Sequence, residues 1–285
     1  MKVRADRILT IYIASPYIAM RARKDTSIPI LMYHSISDGE PSDEHPYYRT
    51  STPPAIFAAQ MRYVHENGFQ TVSPTAALTR LVAGEDVSKL IVITFDDGYR
   101  DFYINAAPVL SQLGFTATVF LPTAYIGKST LEFRGRACLT WPEVRELQRI
   151  GFSFGSHTVT HPQLQYLDSL SIKREVVASK EMIEEQTDRR VDSFAYPYAF
   201  PQADRGFKNR LRELLSSAGY QSGVSTIVGR LTTDSDPLFI QRLPINNLDD
   251  TPLFKAKLAG AYDWMGIPQI AYKAVKSWVP RARRK

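Results

Sequence analysis

The stretch LIVITFDDG, residues 90–98, joins an apolar run to two adjacent carboxylates and a glycine. Its β-branched residues and the turn signal that follows predict an interior strand of an α/β fold. In such folds the reactive groups lie just past the carboxyl ends of the strands, where Asp96 and Asp97 stand. Because successive side chains of a strand point in opposite directions, the two carboxylates can serve different functions. Taken alone, the stretch also fits a capped turn, in which aspartate is common.

A second polar cluster, GSHTVTH at residues 155–161, follows the short apolar segment Phe152–Phe154, which predicts another strand. His157 and His161 are two of only five histidines, and imidazoles at this spacing can meet on one side of a helical turn. A lone histidine is more often a structural group, but neutral imidazole is the commonest metal-binding side chain. The pair therefore predicts a metal site, which the carboxylate of Asp97 would complete with positions left open for water.

These motifs resemble those of a known family. The chain is similar to the polysaccharide deacetylases of carbohydrate esterase family 4, the NodB-homology domain, in TFDDG (94–98), HTVTH (157–161) and FAYPYA (194–199). The opening PILMYHSI (29–36) resembles the branch that includes the exopolysaccharide poly-N-acetylglucosamine deacetylases. The family resemblance implies a distorted, incomplete (β/α) barrel of about seven strands.

Apolar runs and helical stretches alternate along the chain, which by itself predicts an α/β fold with a parallel sheet. Periodicity does not separate a closed barrel from an open doubly wound sheet, so the closed barrel rests on the resemblance. The predicted strands are Ile28–Tyr33, Leu90–Phe95, Thr116–Leu121, Phe152–Phe154, Ser193–Tyr196, Tyr220–Val224 and Phe239–Ile245. The predicted helices are Pro54–Glu66, about Asn105–Leu113, a helix opened by the capping box at Thr140, about Ser171–Gln186, and Lys208–Ala218.

Length and composition favour a single globular domain. The 285 residues contain 44% hydrophobic and 22% charged residues, which is ordinary for a globular protein. No linker divides the chain, so we predict one catalytic domain at residues 28–250. A basic N-terminal extension at 1–27 and a basic, amphipathic C-terminal extension at 251–285 flank it. The single cysteine, Cys138, excludes an intrachain disulfide and says little about the compartment.

The net charge of +6 is concentrated at the two ends of the chain and permits binding to anionic surfaces. No nucleic-acid motif accompanies it, so no nucleic-acid partner is predicted. The uncharged stretch Ile8–Met20 is too short to span a bilayer and lacks a convincing cleavage site, which favours a peripheral anchor or an N-terminal helix. A cytoplasmic or peripherally membrane-associated location is expected, with the cell envelope as the alternative.

Apolar residues near the C-terminus recur at helical spacing and predict an amphipathic helix. They are Ile267, Ile270, Ala271, Ala274, Val275 and Trp278. Such a helix most often packs against its own domain, but a basic one that contains tryptophan can also lie on a membrane surface.

The resemblance implies a division of labour among the site residues. Asp97, His157 and His161 would hold a divalent metal, with Zn²⁺ expected and Co²⁺ or other divalent ions also suited to these ligands. Asp96 would be the general base that takes a proton from water, because a base must not be occupied by the metal. The backbone N–H of Tyr198 would stabilise the oxyanion, although an aromatic turn that packs on the core is the alternative for this segment.

The chain departs from the family pattern in its third motif. Ala195 stands where many members have an arginine that orients the base, and Ala199 replaces a glycine. Arg242, at the end of the last predicted strand, could supply the missing guanidinium, or it could form only a surface salt bridge.

A second departure concerns the general acid, which in many members is a late histidine. No histidine follows His161, so a histidine acid would have to be His34, His45 or His65. We favour His34, because it ends the first apolar strand and would share the rim of the barrel with Asp96. The alternative for His34 is a packed histidine at a strand end.

The resemblance implies a hydrolase that removes acetyl groups from N-acetylated sugars of a polysaccharide, an oligosaccharide or a glycolipid. An O-acetyl esterase would use the same site and stays open. A catalytically impaired carbohydrate-binding protein of the same fold is a further alternative, which Ala195 and the missing late histidine favour. A phosphatase with an aspartate nucleophile is disfavoured, because it needs Asp-x-Asp and leaves the two histidines unexplained.

Overall fold

The computed structural model describes residues 4–20, 26–39 and 50–271, and its centre is an eight-stranded sheet. The sheet strands are β1 (Ile30–Tyr33), β2 (Gln70–Thr71), β3 (Leu90–Phe95), β4 (Thr118–Leu121), β7 (Ser153–Ser156), β8 (Ser193–Ala195), β9 (Ser222–Val228) and β10 (Ile240–Pro244). A separate antiparallel hairpin is formed by β5 (Glu132–Phe133) and β6 (Arg136–Ala137).

Helices occupy most of the chain between these strands. They are α1 (Ala5–Leu9), α2 (Ser15–Met20), α3 (Pro54–Glu66), α4 (Pro74–Val82), α5 (Ala107–Gln112), α6 (Trp141–Arg149), α7 (Ser169–Thr187), α8 (Arg205–Ser217) and α9 (Thr251–Leu258). Wider π turns at Thr10–Ala14 and Phe102–Ala106 join α1 to α2 and lead into α5. The predicted helix opened by Thr140 is confirmed as α6, with both hydrogen bonds of the capping box present.

The sheet closes on itself. Its order is β1-β10-β9-β8-β7-β4-β3-β2, all in parallel, and a further pairing of β1 with β3 completes a barrel of seven strands, with β2 added at the start of β3. The barrel is distorted, because β7 and β8 pair only at Ser156 and Phe194 and the register shifts between β9 and β10. The predicted α/β fold, a distorted (β/α) barrel in a single domain, is confirmed.

Strand alternation separates the interior of the barrel from its outer wall. Ile30 and Val92 belong to a small buried cluster, whereas their neighbours Leu31 and Ile93 belong to the main cluster under the helices. The small cluster is therefore the inner layer of the barrel. Because every second residue of β3 points inward, Thr94 also faces the inside of the barrel. Asp96, which directly follows the strand, continues this alternation and faces inward as well.

Besides the two-residue strand β2, the sequence analysis missed three elements, namely α4, α9 and the β5–β6 hairpin. Ala77 and Leu81 of α4 join the inner cluster, so this helix covers the barrel end where the strands begin. Leu253 and Phe254 of α9 belong to the main cluster. All three elements are short, and the apolar pattern of a few residues does not identify an element whose partners lie far away in the chain.

The two ends of the described chain pack together. The hydroxyl of Tyr262 donates to Asp6 over 2.8 Å, the indole of Trp264 donates to Thr10 over 3.1 Å, and Arg7 forms an ion pair with Asp250. The proposed boundaries near residues 27 and 250 stay predictions.

The predicted C-terminal helix lies only partly within the described residues. Ile270 packs against the main cluster, whereas Ile267 is 77% exposed. Ala274, Val275 and Trp278 lie outside the described residues. Among the residues described, no helix has the length and apolar character needed to cross a bilayer. Peripheral attachment and cellular location stay predictions.

Gly155 of β7 offers a test of barrel packing. A Cβ atom at this position would lie 2.5 Å from the ring of Phe120 and 2.9 Å from the carbonyl oxygen of Ser193. We expect Gly155→Ala to lower the free energy of unfolding by about 1–3 kcal/mol, because neither the buried ring nor the backbone can move freely. Urea denaturation measures this change.

The matched control is Gly206→Ala in α8, where the nearest atom to a new Cβ is the flexible end of Arg210 at 3.3 Å. This variant should gain up to about 1 kcal/mol, since alanine restricts the unfolded chain and favours a helix. Equal effects of the two substitutions would contradict the packing account.

Candidate metal centre and active site

Asp96 and Asp97 leave the carboxyl end of β3 in different directions. The backbone of Asp97 has a φ of 70°, in the left-handed region that few side chains tolerate, and Gly98 follows with a φ of 61°. This turn keeps Asp96 on the inward-facing side of the strand and directs Asp97 toward the loop that follows β7, beyond β4. Both side chains are buried.

The side chains of Asp97, His157 and His161 converge. Oδ1 of Asp97 lies 3.2 Å from Nε2 of His161 and 3.6 Å from Nε2 of His157. One potential ligand atom of each residue lies within 4.8 Å of the ligand atoms of the other two. The structure thus brings together the three residues that the sequence analysis named as metal ligands.

The segment between the two histidines is not the helical turn that the spacing suggested, and that expectation is wrong. It is a bent loop in which Thr158 and His161 have φ values of 69° and 57°. Glu175 of α7 holds the loop, because one carboxylate oxygen accepts from the backbone N–H groups of Val159 and Thr160, each over 2.8 Å. The hydroxyl of Thr158 accepts from the N–H of His161 over 3.0 Å.

Hydrogen bonding and burial determine which histidine nitrogen atoms can bind a metal. Nδ1 of His157 lies 2.8 Å from the carbonyl oxygen of Ala195, so Nδ1 carries the proton and the lone pair of Nε2 faces Asp97. Burial lowers the pKa of His161 despite the opposing charge of Asp97, which favours the neutral imidazole that binds metals.

The donor set fits a divalent cation. Among the described residues, Oδ1 of Asp97 is buried and has no hydrogen-bond donor, although an unpaired buried acceptor costs about 1–3 kcal/mol. A cation between this oxygen and the two Nε2 atoms would satisfy it. Two imidazoles and one carboxylate are the ligands of many catalytic zinc sites.

Asp96 is bound from the barrel interior by Arg242. The guanidinium donates to both carboxylate oxygens over 2.7 Å, and further donates to Thr94 over 3.1 Å and to the carbonyl oxygen of Ser225 over 2.9 Å. Arg242 is fully buried, so the alternative of a surface salt bridge is wrong. Burial would raise the pKa of Asp96, yet the charge of Arg242 outweighs this effect and lowers it, which keeps the carboxylate ionised.

His34 follows β1 directly and lies half-buried at the same rim of the barrel. Burial lowers the pKa of this histidine, against the opposing influence of Asp97 and Asp96. The carboxylate of Asp101 anchors the next two residues, because it accepts from the hydroxyl of Ser35 over 2.5 Å and from the N–H of Ile36 over 3.0 Å.

Tyr198 completes the rim. Its φ is 59°, its side chain is 40% exposed, and its ring lies 4.7 Å from the ring of His161. Its carbonyl oxygen accepts from the hydroxyl of Thr226 over 2.9 Å. Tyr198 therefore borders the candidate metal site and is not a core aromatic residue.

The β5–β6 hairpin covers part of the site, which the sequence analysis did not foresee. Phe133 packs 5.1 Å from the ring of His161, and the guanidinium of Arg134 lies 4.9 Å from the ring of Tyr198. Arg134 and Gly135 both have positive φ values, as in the two-residue turns of β-hairpins. In the sequence, the dipeptide Arg134-Gly135 between Phe133 and Arg136 was the signal that could have predicted this hairpin turn, but it is a weak signal.

The chain is similar to several known proteins. Residues 83–223 match the family described as Polysaccharide deacetylase. The chain is 31% identical over 244 residues to YxkH of Bacillus subtilis (strain 168), whose name assigns it provisionally to the polysaccharide deacetylases, and the match covers 85% of this chain and 78% of that protein. It is 20% identical over 241 residues to poly-β-1,6-N-acetyl-D-glucosamine N-deacetylase of Staphylococcus aureus (strain MSSA476), which covers 79% of this chain and 80% of that protein.

A solved structure also resembles this one closely. The Streptococcus pyogenes deacetylase PplD in complex with acetate has a TM-score of 0.70 and 25% identity, and the match covers 81% of this chain and 98% of that one. The fold and site define the class as a hydrolase of the NodB type. The chain belongs to the polysaccharide deacetylase family, and the predicted enzyme class, a carbohydrate deacetylase, is confirmed.

The ion pair inside the barrel makes a testable prediction. Arg242→Met would leave Asp96 buried without its partner, which we expect to lower the free energy of unfolding at neutral pH by about 3–5 kcal/mol. The loss should shrink near about pH 5, because the pKa of the unpaired Asp96 rises and the protonated carboxyl needs no cation. In the wild type the pKa of Asp96 is lowered, so the contribution of the pair persists until the pH falls through that lowered value.

The double variant Arg242→Met with Asp96→Asn serves as the control and should recover part of the lost stability, since it buries no charge. Urea denaturation at the two pH values measures all three proteins. A loss that is the same at both pH values, or no recovery in the double variant, would contradict the assignment.

Proposed function

We propose that this protein hydrolyses the acetamido group of N-acetylated sugars in a polysaccharide or glycolipid, with units of the N-acetylglucosamine type as the expected substrate. The proposal rests on one arrangement. The carboxylate of Asp96 accepts two hydrogen bonds from Arg242 and lies beside the buried group of Asp97, His157 and His161. The relative named a poly-β-1,6-N-acetyl-D-glucosamine N-deacetylase supports an N-acetyl substrate. Hydrolysis of O-acetyl esters is the alternative.

In this proposal Asp97, His157 and His161 hold a divalent cation, with Zn²⁺ expected and Co²⁺ also suited to the donors. When bound, such a cation supplies Lewis acidity, which lowers the pKa of water and polarises the acetyl carbonyl group. Burial lowers the pKa of His161, which favours the neutral imidazole that binds a cation.

Asp96 is the general base of the proposed reaction. Its two oxygens each accept one hydrogen bond from Arg242, and each keeps a second lone pair that can take a proton from the attacking water. The bidentate guanidinium also prevents the carboxylate from rotating toward the neighbouring ligands. Arg242 thus takes over the orienting role that the resemblance leaves without a residue at Ala195.

Two further residues complete the proposed chemistry. The backbone N–H of Tyr198 donates to the carbonyl oxygen as negative charge develops there. His34 donates a proton to the departing nitrogen as the C–N bond breaks, so that acetate and the free amine are released.

The test is acetate release from a panel of N- and O-acetylated sugars and glycolipids, together with metal analysis of the protein. We expect Asp96→Asn to lose activity by about 10²–10⁴-fold, because it removes the proton acceptor, while its metal content stays at the wild-type level. Unchanged acetate release in Asp96→Asn would contradict the role of the base.

His161→Ala is the matched variant, which should lose both metal and activity because it removes one of three ligands. Sugar binding without acetate release by the metal-loaded wild type would favour the alternative of an impaired carbohydrate-binding protein. Release from O-acetylated sugars alone would replace the proposed substrate by an ester.

The role of His34 is tested by the pH dependence of the rate. Because burial lowers the pKa of His34 below the ordinary 6.5, the protonated acid is depleted as the pH rises through that lowered value. The wild-type rate should therefore fall on the basic side, and the His34→Ala rate should be lower and lack this fall. An identical basic limb in His34→Ala would remove His34 as the acid, and His65→Ala, on the outer helix α3, is the control.

A further inference from the structure

The N-terminal helical segment, residues 5–20, is fixed to the domain by one of its faces. Thr10 on this face is fully buried and accepts a hydrogen bond from Trp264, while Ile11 packs against the main cluster. The first turn is held by Asp6, which accepts from Tyr262. These contacts orient the segment and decide which of its residues point away from the protein.

The opposite face is apolar and exposed. It consists of Ile8, Leu9, Tyr12, Ile13, Tyr17 and Met20, whose exposed fractions are 45%, 40%, 69%, 62%, 54% and 85%. Thr10 and Ile11, which contact the domain, interrupt this series, so the exposed side chains lie on the side away from the barrel. We call them the N-terminal apolar face. Contiguous apolar patches of this kind on a soluble domain mark an interaction site.

The sequence that adjoins this segment, and the C-terminal sequence, are basic. Residues 8–20 carry no charge, while Arg21, Arg23 and Lys24 follow directly in the sequence. Residues 273–285 contain six basic and no acidic residues, which equals the whole net charge of +6. The chain leaves the described part at Ala271, less than two helical turns beyond Trp264, the residue that is bonded to Thr10.

We propose that the N-terminal apolar face binds the surface of an anionic lipid bilayer. An apolar face of large side chains, with Tyr12 and Tyr17 suited to the headgroup level and basic residues next to it in the sequence, is the pattern of helices that lie in the interface plane. The basic residues fit acidic headgroups by charge. Because the inner face is bonded to the barrel, binding would hold the whole domain against the lipid surface.

The experiment is co-sedimentation of the full chain with vesicles of phosphatidylcholine alone and with vesicles that contain about one third phosphatidylglycerol. We expect binding to the anionic vesicles, weaker binding at high salt, and little binding to the neutral vesicles. The double variant Tyr12→Ser with Ile13→Ser should weaken binding by about tenfold or more, because it removes apolar side chains from the interface. Ile104→Ser with Ile150→Ser is the matched control, since these side chains are exposed to 56% and 59% on other helical elements and should not affect binding.

Three results would overturn the proposal. They are no binding of the wild type to either vesicle, equal binding of the Tyr12/Ile13 variant and the wild type, and a wild-type dimer in solution that this variant dissociates without any vesicle binding. The second result would assign binding to the basic termini alone, and the third would assign the face to a second copy. Acetate release from a soluble N-acetylated oligosaccharide should be the same in both proteins, so the outcome is independent of the proposed function.

Discussion

The ion pair between Asp96 and Arg242 is the interaction on which the geometry of the site depends. Removing two full charges from water costs several kcal/mol per ion, so the pair is tolerated only with near-complete hydrogen bonding. The guanidinium meets this condition with Asp96, Thr94 and the carbonyl oxygen of Ser225. These contacts tie β3 to β9 and β10, so the closed barrel and the orientation of the carboxylate require each other.

Strained backbone is concentrated around the same rim. Among the described residues, left-handed φ values at non-glycine positions occur at Asp97, Arg134, Thr158, His161 and Tyr198, and otherwise only at Asp188, the C-cap of α7. Each such residue costs of order 1–3 kcal/mol and persists only where neighbouring contacts hold it. Glu175 and Thr226 provide such contacts here. The site is therefore held in place by α7 and β9, the elements that carry Glu175 and Thr226.

The N-terminal helical segment shares its support with the last loop of the rim. Asp249, which follows β10, is buried with Lys257 at 2.8 Å, and Arg4 lies 3.6 Å from the same carboxylate. Burial lowers the pKa of Lys257 against the attraction of Asp249, so this pair also depends on its close geometry. The ends of the described part of the chain thus form one packed unit with the barrel. A surface bound by the N-terminal helical segment would therefore also position the rim that carries the candidate site.

Local pattern was enough for much of the fold and for naming the candidate metal ligands. The strand Leu90–Phe95, the helix Pro54–Glu66 and the capping box of Thr140 depend on contacts between near neighbours, which a sequence displays directly. The residues Asp96, Asp97, His157 and His161 were named from motifs at strand ends. Family resemblance, rather than periodicity, separated the closed barrel from an open sheet.

Tertiary structure alone decided the features that depend on distant partners. Arg242 is 146 positions from Asp96 in the chain, and only the register of the closed barrel shows that it reaches the carboxylate instead of solvent. The bent loop between the histidines requires Glu175 from another helix, so their spacing suggested a helical turn that does not form. The sequence shows that the N-terminal helical segment is apolar, but it does not show which of its sides packs on the domain. Only the tertiary structure shows that one face is covered and that the N-terminal apolar face is exposed.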